Sequence, residues 1–196
     1  MTSVIQDLSD WGHIALTGGD RVRFLHGMCT SNIETLDEGG WLRTCFLNHK
    51  ARILFIAEVR AEAERLIVSC ESEYADALEA LLDKHIIADD VELERLEQTM
   101  HRVWSDVASV WTAAPVDGPP ADTSSAEAIE CRRIEAGLPA YGVDVSDSNF
   151  PFETTLVRLV DYEKGCYTGQ EPVARVHARG GANKQLRGLR FERGLP

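Results

Sequence analysis

The stretch "WLRTCFLNHKARILFIAEVRAEAERLIVSC", residues 41–70, decides the fold. It holds three strand-like apolar runs, WLRTCFLN, RILFIAEVR and RLIVSC, separated only by the short polar links HKA and AEAE. That spacing predicts an antiparallel meander. Upstream, "GHIALTGG" alternates weakly and ends in a glycine turn, so it reads as a strand. "GDRVRFLHGMC" places Val22, Leu25 and Met28 at helical spacing behind Asp20, a good N-cap. "TSNIETLDEGG" is a loop or short helix.

Downstream, "SEYADALEALLDKHI" is the clearest helix, with Tyr74, Ala77, Leu78, Leu81 and Leu82 as its apolar stripe and Ser72 as its cap. "DVELERL" and "MHRVWSDVASVW" read as further strands, and the proline-rich "TAAPVDGPPADTSS" as a loop or linker. A helix over "SAEAIECRRIEA" ends at Gly137. "KQLRGLRFE" is strand-like. The order β, α, βββ, α, ββ, α, β predicts an α+β fold, with helices packed on a largely antiparallel sheet. The strand that opens near the end of the chain has no partner in the sequence, which predicts a further domain or a covering partner.

A chain of 196 residues with 44% hydrophobic content can bury a real core, as one domain or two small ones. No apolar run approaches the roughly 18 residues of a membrane span. The start, "MTSVIQDLSDWGH", carries Asp7 and Asp10 and no early Lys or Arg, unlike a signal or transit peptide. The expected location is the cytoplasm. The cysteines at 29, 45, 70, 131 and 166 include no C-x-x-C pair, which argues against a disulfide framework and a paired-cysteine zinc site. Cys45 and Cys70 read as ordinary buried thiols, and Cys131 as a core residue one helical turn from Glu135.

The net charge of −12 argues against general nucleic-acid binding. Residues 164–196 nevertheless carry seven Lys/Arg against Glu171 and Glu192, a local +5, which leaves −17 on the rest. That end is either a site for an anionic ligand, a docking edge or a solvated basic strand pair.

Within it lies "KGCYTGQEPVARVHARGG", residues 164–181. Thr168 and Glu171 have capping-box spacing, and Pro172 suits a first helical turn. Cys166 then precedes a helix N-terminus and stands two residues from Lys164, both of which favour thiolate. The bland alternative is a small apolar filler at a turn. His177 and Asp161 do not make a Cys–His hydrolase, because a triad is defined by geometry rather than sequence order. His177 reads as a solvent-facing helix residue or a ligand contact.

"KGCYTGQEPVAR" resembles the signature of the folate-binding YgfZ-like family of iron–sulfur cluster assembly factors, relatives of the glycine-cleavage T-protein (aminomethyltransferase). "GDRVRFLHGMCTSNIETL", "LNHKARILF", "RRIEAGLPAYGVD" and "PFETTL" resemble further family segments, in the family's order. The resemblance implies a T-protein-like folate-binding body over residues 1–185, with a candidate division near 113–124. A C-terminal β-barrel would begin over 186–196 and be left incomplete. It implies tetrahydrofolate as ligand, with Glu135 on the pterin and Tyr141 stacked on or bordering it. Arg175 would meet the folate carboxylates, and Lys164 and Gln170 would be further contacts. Without the resemblance, Glu135 reads as a helical residue paired with Arg132. The T-protein aspartate of the methylene-transfer chemistry aligns with Phe55, which cannot move a proton. Cys166, by contrast, is shared with YgfZ-like proteins.

Three functions follow as expectations. The first is a folate-binding accessory factor for assembly or repair of iron–sulfur clusters, including those of tRNA-modifying enzymes, with Cys166 as its thiol and no direct contact with nucleic acid or membrane. One cysteine cannot hold a cluster alone, so client or assembly proteins are its expected partners. The second is a folate-dependent one-carbon transferase. The third is an interaction module that has lost its ligand.

Overall fold

Residues 4–107, 110–118, 120 and 122–189 are those that the computed structural model of the chain describes. The predicted meander is present as β3 (Trp41–Leu47), β4 (Ile53–Ala61) and β5 (Leu66–Cys70), with Trp41 opposite Arg60 and Val59 opposite Val68. β2 (Gly12–Thr17) pairs with the outer side of β5, and β6 (Glu92–Leu96) pairs with β2. The result is a five-stranded antiparallel sheet in the order β3-β4-β5-β2-β6. A second, three-stranded sheet has the order β1-β7-β8, from β1 (Val4–Asp7), β7 (Met100–Val107) and β8 (Val110–Asp117).

The larger sheet is apolar on both faces, which explains why its strands read as runs rather than as clean alternation. Ile14, Leu16, Phe46, Ala57, Val59 and Val68 pack with α1 (Arg21–Met28) and α2 (Ser72–His85) in one core. Cys45, Leu47, Ile53 and Ile56 form a second core with Leu156, Tyr167 and Val173. These come from a 3-10 turn (Thr155–Leu159), the loop after it and α4 (Gln170–Ala178). The register shifts between Phe46 and Leu47, where β3 meets β4. This irregularity lies beside Phe55, and bulges of this kind re-aim side chains near functional sites.

The α+β assignment therefore holds, and five expectations need correction. Of the predicted stripe of α2, Leu78 and Leu82 are buried and Tyr74 and Leu81 pack against the same core, but Ala77 is exposed and Ala75 is buried in its place. Glu71 occupies the cap position and Ser72 is the first helical residue. The "linker" at 112–125 begins as strand, because β8 runs to Asp117 and Pro115 pairs opposite Arg102. A proline is tolerated there because β8 is an edge strand. Cys131, on α3 (Ala126–Glu135), is exposed rather than in the core.

Finally, residues 184–189 form no strand. Leu186 instead donates its N–H to the carbonyl of Glu153, at 2.7 Å, in the 3-10 turn Pro151–Glu153. The rest of that predicted strand, 190–192, and of the predicted barrel start, 190–196, lies outside the described residues, and no barrel is closed among the described residues.

Candidate functional site

A helix ends with backbone carbonyls that lack intrahelical partners, and a cation is favoured beside them. α1 ends at Met28, and Lys164 supplies that cation. Its Nζ donates to the carbonyls of His26 (2.6 Å), Cys29 (2.8 Å) and Ser31 (2.8 Å). An ammonium has three hydrogens, so all are committed. Burial pushes the pKa of Lys164 down, opposed by Cys29, Asp161 and Glu34. Asp161 holds the turn before it, accepting from the backbone N–H groups of Glu163 (2.8 Å) and Lys164 (3.0 Å).

On the far side, the N–H of Thr168 donates to the carbonyl of Gly27 at 3.1 Å. Residues 164–168 thus form a strap fastened at both ends to the end of α1. Cys166, in its middle, is exposed, while the neighbouring Tyr167 is buried in the second core.

This geometry corrects the sequence reading of the motif in two ways. Lys164 is a structural clamp rather than a free cation for a cofactor or for the Cys166 thiol. The capping box does not form, because the N-cap of α4 is Gly169 and no side chain caps it. Gly169 has φ +84°, and a Cβ there would fall 2.6 Å from the carbonyl oxygen of Asn48. Only glycine fits both demands. Pro172 does lie in the first turn, where a missing N–H is tolerated.

Sequence reasoning missed His26. Its ring is buried, its Nδ1 has no hydrogen-bond partner among the described residues, and its Nε2 lies 3.7 Å from where a Cβ on Gly165 would stand. Burial, followed by Lys164, pushes its pKa down. The available signal was its place in "FLHG", one of the quoted segments.

The other predicted residues fall into two groups. Tyr141 is half-buried, with its ring edge-on to Tyr74 at 5.0 Å and tilted against Phe55 at 6.5 Å. The structure thus brings Tyr141 together with Phe55. The Tyr141 segment is tied down by Arg43, which donates to the carbonyl of Pro139 at 3.2 Å, and by Arg133, which donates to that of Leu138 at 2.7 Å. Glu135, the last residue of α3, is exposed and paired with Arg132, as the bare helix reading expected.

Gln170 and Arg175 lie on α4. Gln170 opens the helix, and Arg175 donates to Glu171 at 2.7 Å. His177 stacks on Tyr162 with ring centroids 3.8 Å apart and forms no triad with Cys166 and Asp161 among the described contacts. Burial pushes the thiols of Cys45 and Cys70 up to about 12, and that of Cys29 upward as well. No group of three metal-ligating side chains occurs among the described residues.

The fold is that of the T-protein class. The aminomethyltransferase T of the Bartonella henselae glycine cleavage system superposes with a TM-score of 0.70 at 17% identity, over 91% of this chain and 64% of that one. In sequence, the chain is a relative of YgfZ and IBA57 proteins. The tRNA-modifying protein YgfZ of Yersinia enterocolitica is 28% identical, over 91% of this chain and 68% of the relative. The mitochondrial iron–sulfur cluster assembly factor IBA57 homologue of Mycosarcoma maydis is 25% identical, over 92% and 55%. A chloroplastic protein of Arabidopsis thaliana that carries a transferase name is 26% identical, over 95% and 56%. The chain thus spans about 55–68% of the length of these relatives. No family model matches.

Proposed function

We propose that this protein binds tetrahydrofolate and acts as an accessory factor in the assembly or repair of iron–sulfur clusters in client enzymes, those of tRNA modification included. Cys166 is its working thiol. The observation that carries the reading is the strap: it holds an exposed cysteine on a backbone fastened at Lys164 and Thr168, while Cys29, Cys45 and Cys70 are buried. The relatives named for cluster assembly and tRNA modification support the same reading.

In the folate part of the proposal, Glu135 accepts hydrogen bonds from the pterin after exchanging Arg132 for it, and Tyr141 borders the ring. Gln170 and Arg175 serve the remainder of the ligand. Lys164 takes no part, because freeing it would expose three carbonyls. Aminomethyl transfer is the weaker reading, since Phe55 presents a ring where that chemistry needs a carboxylate. Clusters normally take about four thiolates, so Cys166 acts with ligands from a partner chain. A thiol-reducing compartment such as the cytoplasm suits five free cysteines.

The test is complementation. Cells lacking their own YgfZ-type protein would receive the wild type, C166S or C131S, and the activity of a cluster-dependent tRNA-modifying enzyme would be measured at equal protein levels. Wild type and C131S should restore it and C166S should not. Equal restoration by C166S would refute the role of this thiol.

A further inference from the structure

A cleft of about 630 Å³ opens between the β3–β4 link, the first 3-10 turn, α4 and the segment after it. Lys50, Arg52, Arg175 and Lys184 line it. Its floor is a stack of Phe150 on Phe152, with centroids 4.8 Å apart and planes 13° apart, and the Arg52 guanidinium lies 3.8 Å from the Phe150 centroid. We propose that this cleft is a binding site for a small oligoanion, a ligand bearing two or more carboxylate or phosphate groups along a short chain.

Charge carries the first part of the argument. The chain as a whole is at −12, yet four cations converge here. Glu153 is the one carboxylate of the lining, and its Oε2 already accepts from the N–H of Phe150 at 3.0 Å. Glu171 pairs with Arg175 from the rim. No carboxylate pairs with Lys50 or Lys184 among the described residues. A recess lined by one sign of charge concentrates counter-ions of the other.

Preorganisation carries the second part. The Asn48 side chain accepts from the backbone N–H groups of Lys50 (2.8 Å) and Arg52 (3.0 Å), and the N–H of Ile53 donates to the carbonyl of Asn149 at 3.1 Å. The two cations of the link therefore stand on fixed backbone, and Arg52 is further held by the Ser148 carbonyl and the Phe150 ring. Binding then needs little ordering of the protein. The acidic remainder of the chain disfavours a long polyanion and leaves a short one as the fitting ligand.

The cleft shares Arg175 with the folate reading, so its carboxylate form rests on that reading, and the test uses probes without a pterin so that the two can fail separately. p-Aminobenzoyl-triglutamate and inorganic tripolyphosphate would be titrated calorimetrically into the full chain, into K50E, into K184E and into K84E, which places the same charge change as either single variant on exposed Lys84 of α2. At least one probe should bind the wild type, weaken about tenfold in K50E or K184E, hold in K84E and weaken with salt. Binding of the glutamyl probe alone identifies a carboxylate chain as the ligand, and binding of tripolyphosphate identifies a phosphate source. Binding of neither probe, or a loss in K84E equal to that in K50E and K184E, would overturn the proposal. Tetrahydrofolate monoglutamate, titrated separately, would still report on the pterin site.

Discussion

Glu58 of β4 and Arg102 of β7 form a buried ion pair at 2.5 Å that joins the two sheets. Arg102 also donates to Gln6 of β1 at 3.0 Å, and its guanidinium lies 4.8 Å from the ring centroid of Trp11 and 5.7 Å from that of Trp104. The pair thus orients one sheet on the other. Breaking a buried pair from one side leaves the other charge uncompensated. Arg102→Met should lower the unfolding free energy by about 3–5 kcal/mol, and Glu58→Gln/Arg102→Met by less than the sum of the single changes. Urea denaturation checks this. Single-variant losses below about 1 kcal/mol would mean that the pair does not organise the sheets.

Lys164→Met removes three charge-assisted bonds to carbonyls at and just beyond the end of α1, of which that of Ser31 keeps only the weak Cys29 thiol donor. A loss of at least about 2 kcal/mol is expected, with faster proteolytic cleavage within the strap. Unchanged stability accompanied by weaker folate binding would instead restore Lys164 as a ligand contact.

The thiols separate by burial. Cys131 and Cys166 are exposed, and Cys29, Cys45 and Cys70 are buried with raised pKa values. Iodoacetamide on the native protein should modify the two exposed cysteines, identified by peptide mass spectrometry, and all five only after denaturation. Fast native labelling of Cys29 would show that the strap opens.

Acid should weaken the fold through its histidines. Burial lowers the pKa of His13, whose Nδ1 lies 2.8 Å from the Ser69 hydroxyl, and of His26. The unfolded chain then binds more protons than the native one below a pH of about 6.5. Stability from these groups is full above that value and falls as the pH drops from there. His26→Gln should flatten the decline between about pH 7 and 5, measured by urea midpoints. An unchanged slope would contradict this origin.

The meander, the helices and the α+β class were legible because apolar periodicity and turn residues report local structure directly. Pro115 misled because a proline reads as a loop residue, and nothing local marks β8 as an edge strand that can hold it. The site was legible only in part. The motif singled out Cys166, which is exposed, but Lys164 faces the end of α1, far away in sequence, and such a contact leaves no local pattern. His26 was hidden for the same reason. The capping box failed because the approach of the Asn48 carbonyl, a tertiary contact, fixes the conformation of Gly169.

The central proposal is that the chain binds tetrahydrofolate through Glu135, and calorimetric titration of reduced tetrahydrofolate into the wild type and Glu135→Ala tests it most directly. The account predicts that the wild type binds and that the variant loses about 1.5–3 kcal/mol, as for hydrogen bonds to a charged group. Two folded proteins that bind no tetrahydrofolate, or that bind it equally well, would contradict it.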